Sequence, residues 1–391
     1  MSDIVILSGA RTAIGTFGGS LASVPPIDLA ATVTRAAIER AGISPEQVGT
    51  VVFGHVINTE PRDMYLSRVA MLDAGVPDTV PAMNVNRLCG SGAQAIVSAV
   101  QALQLGDADF AVAGGAESMS RAPYTVPSAR FGAKMGDVKM LDMMTGALTC
   151  PMGTGHMGVT AENVAAESQI TRQQQDEFAL ESQRRAATAI GEGRFAEQIV
   201  PVEISSRKGA VMFEVDEHPK DTSLEKLGGL KAVFQKDGTV TAGNASGIND
   251  GAAALVLARA EAAEAAGVSP RAKVLGYAVA GVAPRVMGNG PIPAVRKLME
   301  KTGLRAEDFD VIESNEAFAA QALAVSKEMG FDPAKVNPNG GAIALGHPVG
   351  ATGAILTVKA LYELERTGGS KALITMCIGG GQGIAIAIER V

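Results

Sequence analysis

Short apolar, β-branched runs bounded by glycine recur along the chain at 4–7, 51–53, 110–112, 274–279, 311–312, 372–376 and 384–388. Runs this short and this apolar predict strands buried on both faces. Between them, apolar positions recur at helical spacing over 28–41, 91–105, 292–302, 316–329 and 351–365. Strands alternating with helices imply an α/β fold of mostly parallel sheets with helices on their faces.

The two ends of the chain resemble each other. Placing Ile38-Glu39-Arg40-Ala41-Gly42-Ile43 on Met299-Glu300-Lys301-Thr302-Gly303-Leu304 puts Glu46 on Glu307 and Val51 on Ile312. Further along, Gly92-Ala93 matches Gly350-Ala351, Ala102-Leu103 matches Ala360-Leu361, and Cys89 falls on His347. A duplicated α/β half follows from this pattern. Residues 118–245 stand outside the repeat: 132–158 is rich in Met and Gly, and a polar helix is predicted over 172–190, with Thr171 and Gln174 as a capping box. The pair Arg207-Lys208 and the stretch 214–238 read as loops and short hairpins. This segment is expected to be an insertion that covers a site built by the two halves.

With 391 residues, 47% hydrophobic and 19% charged, the chain is too apolar to be disordered and long enough for a large core. A net charge of -7 without a basic tail gives no footprint for nucleic acid, so an anionic ligand must be held by local groups. No apolar run approaches the ~18 residues of a membrane span, and the opening Met1-Ser2-Asp3-Ile4 lacks the basic start of a secretory signal. Three cysteines, Cys89, Cys150 and Cys377, are too few and too scattered for a disulfide framework, so a reducing cytoplasm is expected.

Cys89 lies in Asn86-Arg87-Leu88-Cys89-Gly90-Ser91-Gly92, just before the helix 91–105. At a helix N-terminus the macrodipole and free N–H groups lower a thiol pKa. Gly90 and Gly92 would let a substrate approach the backbone. The alternative is a small buried apolar cysteine. His347, in Gly346-His347-Pro348-Val349-Gly350-Ala351-Thr352-Gly353, is a candidate base for that thiol or a structural histidine. Cys377 ends a strand before Ile378-Gly379-Gly380-Gly381, which aims it at the crevice where α/β sheets bind ligands, or leaves it buried at the strand end. Asn315, followed by Glu316, is either a site residue or a helix cap. Gly153-Thr154-Gly155-His156-Met157-Gly158 matches a dinucleotide fingerprint only formally, because Pro151 interrupts the preceding strand. Cys150 and His156 lack the spacing of a zinc site, and no Walker A loop is present.

Taken in order, the stretches 86–92, 156–163, 315–320, 346–353 and 377–383, with the opening Ser8-Gly9-Ala10-Arg11-Thr12-Ala13-Ile14-Gly15, resemble the thiolase family over essentially the full length. The resemblance is to the bacterial acetyl-CoA acetyltransferase or β-ketothiolase type. It implies a duplicated fold with two mixed, mostly parallel sheets in a five-layer αβαβα core. The first half would comprise 1–117 and 246–269, the inserted loop domain 118–245, and the second half 270–391. It also implies that Cys89 is acylated, that His347 activates it, and that Cys377 is the second acid/base. Asn315 would hold a water that forms one oxyanion site with His347, and the N–H groups of Cys89 and Gly379 would form the other.

Acyl-CoA and CoA are the implied ligands, held by Leu148, His156, Met157, Lys220, Phe234, Ala242, Ser246 and Gly247 together with Met287, Ala317 and Phe318. No metal or cofactor is implied. The stretch 121–144 resembles the tetramerisation loop of such thiolases, implying a homotetramer built as a dimer of dimers. The chain departs from the family pattern in Pro219-Lys220-Asp221 and Lys226, where close relatives carry Arg and Ser.

These roles suit the chemistry. Joining two acetyl-CoA molecules requires an acyl carrier and a base for a carbon-bound proton. Each step generates an oxyanion, and a preorganised donor set is worth ~3–4 kcal/mol by analogy with protease oxyanion holes. A decarboxylating ketoacyl synthase shares the duplicated fold and the nucleophilic cysteine. Its extender is activated by loss of carbon dioxide, so it needs no second cysteine, and Cys377 favours a thiolase. A non-catalytic acyl-CoA carrier would need neither cysteine nor the histidine.

Overall fold

Every apolar run singled out above forms a strand in the structure, a computed structural model that describes residues 3–206 and 209–391. The pair Arg207-Lys208 lies outside the described residues. The main strands are β1 (Ile4–Arg11), β2 (Thr50–Gly54), β3 (Ala82–Val85), β4 (Phe110–Ser118), β5 (Asn249–Arg259), β6 (Ala272–Gly281), β7 (Val311–Ser314), β8 (Lys371–Ile378) and β9 (Gln382–Arg390). The main helices are α1 (Pro26–Ala41), α2 (Leu66–Asp73), α3 (Ser91–Leu105), α4 (Met157–Ser168), α5 (Arg172–Gly191), α6 (Pro291–Thr302), α7 (Ala319–Met329) and α8 (Thr352–Thr367).

The strands lie in the order β7-β8-β9-β6-β1-β5-β4-β2-β3, with Gly15–Thr16 paired beside β5. In the first half, β2, β3 and β4 pair in parallel, β5 runs against β4, and β1 runs against β5. Four of those five strands therefore share one direction. In the second half β7 is parallel to β8, and β9 runs against both β8 and β6, so three of four share a direction. The two expected sheets are hydrogen-bonded into one, through Val5 with Lys273 and Ile6 with Ala272.

Helices α3 and α8 pack on each other between the two halves of the sheet. Outside them α1 and α2 cover the first half and α6 covers the second, giving the five layers. The central helices touch backbone to backbone. A Cβ on Gly353 would lie 2.2 Å from Ala93 N, and one on Gly92 would lie 2.8 Å from Ala354 N. Both helices begin at this crossing, which brings Cys89 and His347 to one place.

Three elements differ from expectation. β5 was not anticipated, because its alanine-rich run lacks the β-branched signature of a strand. Buried from Asn249 to Ala258, it uses small side chains to let α1 and α8 approach both faces. The helix expected over 316–329 starts only at Ala319, since Phe318 is in extended conformation. A short helix, Met143–Ala147, fills part of the Met- and Gly-rich stretch, while α5 keeps its predicted capping box: Thr171 N–H donates to Gln174 Oε1 at 2.8 Å and Gln174 N–H to Thr171 Oγ1 at 3.3 Å.

Candidate active site

Cys89 sits in a tight turn between β3 and α3. Leu88 takes a left-handed φ of 45°, a strained conformation for a branched side chain. The turn is held by Asn86 Oδ1, which accepts Leu88 N–H at 3.0 Å, and by Ser91 Oγ, which donates to Leu88 O at 2.6 Å. The neighbouring glycines serve packing between the halves instead of substrate approach. A Cβ on Gly90 would strike Ile378 at 2.5 Å, and Gly92 abuts α8.

The expected lowering of the Cys89 thiol is not found. Burial pushes it up, the N–H groups of Gly379 and of Cys89 itself oppose that, and the Glu117 carboxylate adds to the upward push. The helix start is overridden because the second half of the chain covers it. The same two N–H groups had been expected to form an oxyanion site, and both bear on the sulfur.

Buried Glu117 accepts N–H bonds from Val56 and Ile57, both at 3.1 Å, and from Gly350 at 2.9 Å. It thus ties the loop after β2 to the loop that carries His347. His347 is buried, and burial pushes its ring down to about 4. Its backbone N–H donates to Asn249 Oδ1 at 2.9 Å, Nδ1 lies 2.6 Å from Thr352 Oγ1, and Nε2 lies 3.4 Å from Asn315 Nδ2. Asn315 is not a helix cap, because α7 starts four residues later. Its Oδ1 is buried and has no hydrogen-bond partner among the described residues. Cys377, buried near the end of β8, is pushed up by burial and then by the proximity of Cys89.

Cys89, His347 and Cys377 share one cavity of about 410 Å³. Leu148, His156, Met157, Lys220, Phe234, Ala242, Ser246, Gly247, Met287, Ala317 and Phe318 also line it. Asn315 reaches the site through His347. Gly379 lines a smaller adjoining cavity with Cys89, Leu88, Met119 and Val349. His156 stacks on Phe234 at 4.8 Å between ring centroids, and Phe234 meets Phe318 edge-on at 6.2 Å. Lys220 is exposed and brings a cation to the wall, whereas Lys226 faces Asp221 at 3.9 Å and does not line the cavity.

Sequence reasoning missed Thr16, Phe17, Met119, Val349 and His218, which also line this cavity. Burial and then Lys220 push His218 down to about 4, so it is a neutral imidazole at ordinary pH. It is one of only four histidines, which was the available signal. Among the described residues no cluster of three or more His, Cys, Asp or Glu side chains has the arrangement of a metal site.

A cavity with two thiols and a histidine at its reactive end, walled by apolar and amide-sized groups, can carry an acyl group on sulfur and move a proton at a second position. Comparison with known proteins agrees with that chemistry. A family model described as the thiolase N-terminal domain matches residues 4–261, and one described as the thiolase C-terminal domain matches 268–390. The chain is 60% identical to beta-ketothiolase BktB of Cupriavidus necator, over 100% of this chain and 99% of that protein. It is 52% identical to the acetyl-CoA acetyltransferase of Escherichia coli, over 100% of both. Among solved structures, the Bacillus anthracis acetyl-CoA acetyltransferase superposes with a TM-score of 0.98 at 47% identity, covering 100% of this chain and 99% of the other. A human mitochondrial 3-ketoacyl-CoA thiolase in complex with CoA gives 0.97 at 42%, covering 100% and 98%.

Proposed function

The chain belongs to the thiolase family and is an acetyl-CoA C-acyltransferase, and we propose that Cys89, His347, Cys377, Asn315 and the Gly379 N–H carry out its reversible condensation of two acyl-CoA molecules. The observation that carries this assignment is the convergence of Cys89, His347 and Cys377 on one cavity, with the Gly379 N–H bearing on the Cys89 sulfur.

Cys89 sulfur attacks the thioester carbonyl as His347 Nε2 takes the thiol proton. The N–H groups of Cys89 and Gly379 hold the oxyanion. Collapse breaks the carbon–sulfur bond to CoA, and the departing thiolate takes the Cys377 proton. The acyl-enzyme is then left with an imidazolium at 347 and a thiolate at 377. A second acyl-CoA loses an α-proton to the Cys377 thiolate, and its enolate oxygen is held by His347 and by a water on the otherwise unpartnered Asn315 Oδ1. The enolate carbon attacks the acyl group on Cys89. Cys89 leaves as thiolate and recovers the proton held by His347. All three groups return to their starting states with one 3-ketoacyl-CoA and one CoA released.

The upward push on Cys377 suits this role, since it must begin as an acid. The Cys377 requirement also sets aside the decarboxylating synthase.

The apolar walls suit the pantetheine arm, with Ala242, Ser246 and Gly247 beside its amides and Lys220 as a cation for its anionic end. Coenzyme A thioesters act as substrates and no further cofactor takes part. On the same reading the chain divides into halves 1–117 with 246–269, and 270–391, around an insertion 118–245. It works as a homotetramer in the cytoplasm. Phe131 and Met135 support the assembly, being 88% and 99% exposed in a stretch too apolar for open solvent. Among the described residues no helix is long and apolar enough to cross a membrane.

Peptide mass spectrometry after brief exposure to acetyl-CoA tests the assignment. Acetyl is expected on the peptide holding Cys89, and label confined to Cys150 or Cys377 would overturn it.

A further inference from the structure

The opening segment 8–15 holds no reacting group, yet it carries a fully buried ion pair. Arg11, at the end of β1, donates to Asp216 through Nη1 at 2.8 Å and Nη2 at 2.9 Å, and both side chains are 0% exposed. Arg11 Nε donates to Gln198 Oε1 at 2.7 Å, and the guanidinium lies over the Phe195 ring. Asp216 Oδ1 also accepts the N–H of Ile14 at 2.8 Å.

The next two residues are fastened in the same way. Glu217 Oε1 accepts the N–H groups of Thr16 at 2.8 Å and Ser20 at 2.9 Å, while its Oε2 accepts the Ser20 hydroxyl at 2.7 Å. His218 Nδ1 lies 3.3 Å from Thr16 Oγ1. Residues 216–218 of the insertion are therefore strapped onto 11–20 of the first half. The seat is tight: a Cβ on Gly19 would lie 2.2 Å from Glu217 Oε1, and one on Gly247 would lie 2.3 Å from His218 Cε1. On the inner side of the strap, Thr16, His218 and Lys220 line the active-site cavity.

A buried ion pair contributes little net stability compared with apolar side chains of the same size. What a bidentate guanidinium–carboxylate fork supplies is a fixed orientation. We propose that Arg11 and Glu217 are positioning residues for the coenzyme A arm: they clamp 216–218 in place and hold His218 and Lys220 ready against Ser246 and Gly247. Holding that wall in its bound shape removes an ordering cost from ligand binding. The clamp touches none of the reacting groups, so it acts on affinity for the carrier and not on acyl transfer itself. This inference rests on the reading of the cavity as a coenzyme A site.

The test compares acetyl-CoA with S-acetyl-N-acetylcysteamine, which keeps the acetyl thioester and lacks the nucleotide and most of the pantetheine. In Glu217→Ala, KM for acetyl-CoA is expected to rise about tenfold with kcat nearly unchanged, while kcat/KM for the truncated thioester stays within about twofold. Arg11→Met should show the same split more strongly, and Arg11→Lys, which keeps the charge and loses the fork, should fall between. If Arg11→Met does not fold, Glu217→Ala and Arg11→Lys decide the matter. Equal losses on both thioesters, or an unchanged KM for acetyl-CoA in folded Glu217→Ala, overturn the proposal. Failure of the underlying reading is seen separately, as a wild-type enzyme with the same KM for both thioesters.

Discussion

Thr352 Oγ1 stands 2.6 Å from His347 Nδ1, and the hydroxyl proton is directed to Pro348 O at 2.9 Å. A hydroxyl has one proton, so toward the ring Thr352 accepts and Nδ1 donates. That fixes the tautomer with its lone pair on Nε2, the nitrogen beside Asn315. Thr352→Val keeps the shape and removes the acceptor. Acylation of Cys89 is expected to slow by roughly 10- to 100-fold, less than the ~10²- to 10⁴-fold of a lost general base because the imidazole itself remains, with Thr352→Ser recovering most of the rate. Rapid-quench measurement of acetyl-enzyme reads this directly, and a wild-type rate in Thr352→Val would remove the tautomer argument.

Burial sets the pH dependence. His347 is pushed down to about 4, so its neutral, proton-accepting form persists well below the ordinary histidine value of 6.5. The Cys89 thiol is pushed up and stays protonated through neutrality. The active pair is a neutral thiol and a neutral imidazole, and the acylation rate is expected to be flat from about pH 5.5 to 7.5, falling only toward pH 4. An inflection near 6.5 in single-turnover acylation would show that His347 titrates as an exposed histidine does.

The crossing of α3 and α8 leaves no room at Gly353. Its Cβ would lie 2.2 Å from Ala93 N and 2.7 Å from Ala93 Cβ, so Gly353→Ala must push apart the two helices that follow the Cys89 turn and the His347 loop. A loss of about 1–3 kcal/mol, as for overpacked cores, is expected from urea unfolding, together with slower acylation. Gly191, at the end of α5, has nothing within 4 Å of its Cβ position. Gly191→Ala is the control and should leave both properties unchanged or raise stability slightly. Equal unfolding midpoints for the two variants would contradict the crossing.

The proposed tetramer rests on side chains that the monomer leaves outside. Phe131, Met135 and Met140 all project from the insertion, far more apolar surface than a loop in water retains without a partner. Sedimentation at micromolar concentration should give four times the 40.0 kDa chain mass. Replacing Phe131 and Met135 together by Ser should yield smaller species that still accept acetyl on Cys89. A wild-type dimer that persists as concentration rises would rule out the tetramer.

The candidate site was legible where chemistry demands particular residue types, and obscure where tertiary packing decides. Cys89 falling on His347 in the internal repeat has a physical counterpart in the α3–α8 crossing, where Gly92 and Gly353 seat two helix starts face to face. β5 was hidden because alanine and glycine carry little strand signal of their own; its place between α1 and α8 selects them. The direction of the Cys89 shift was misread because the helix dipole is local and visible, while the burial that outweighs it involves residues nearly three hundred positions away, such as Ile378 against Gly90. His218 escaped notice because the residues before it, Asp216 and Glu217, are bonded to Arg11 and Thr16, partners that stand about two hundred residues from it.

The two thiols can be separated by experiment. Cys377→Ala removes the group assigned to the α-proton but leaves Cys89, His347 and the Gly379 N–H in place. In this variant the imidazolium at 347 supplies the proton to the departing CoA thiolate, so acetyl transfer onto Cys89 should continue at a reduced rate. Condensation should be lost, and so should exchange of the acetyl-CoA methyl protons with solvent, because no base then reaches the α-carbon. If Cys377 were a packing residue only, trimming a small buried side chain would lower both half-reactions mildly and together. Rapid-quench acylation measured beside deuterium exchange by NMR distinguishes the two, and near-normal methyl exchange in Cys377→Ala would take Cys377 out of the mechanism.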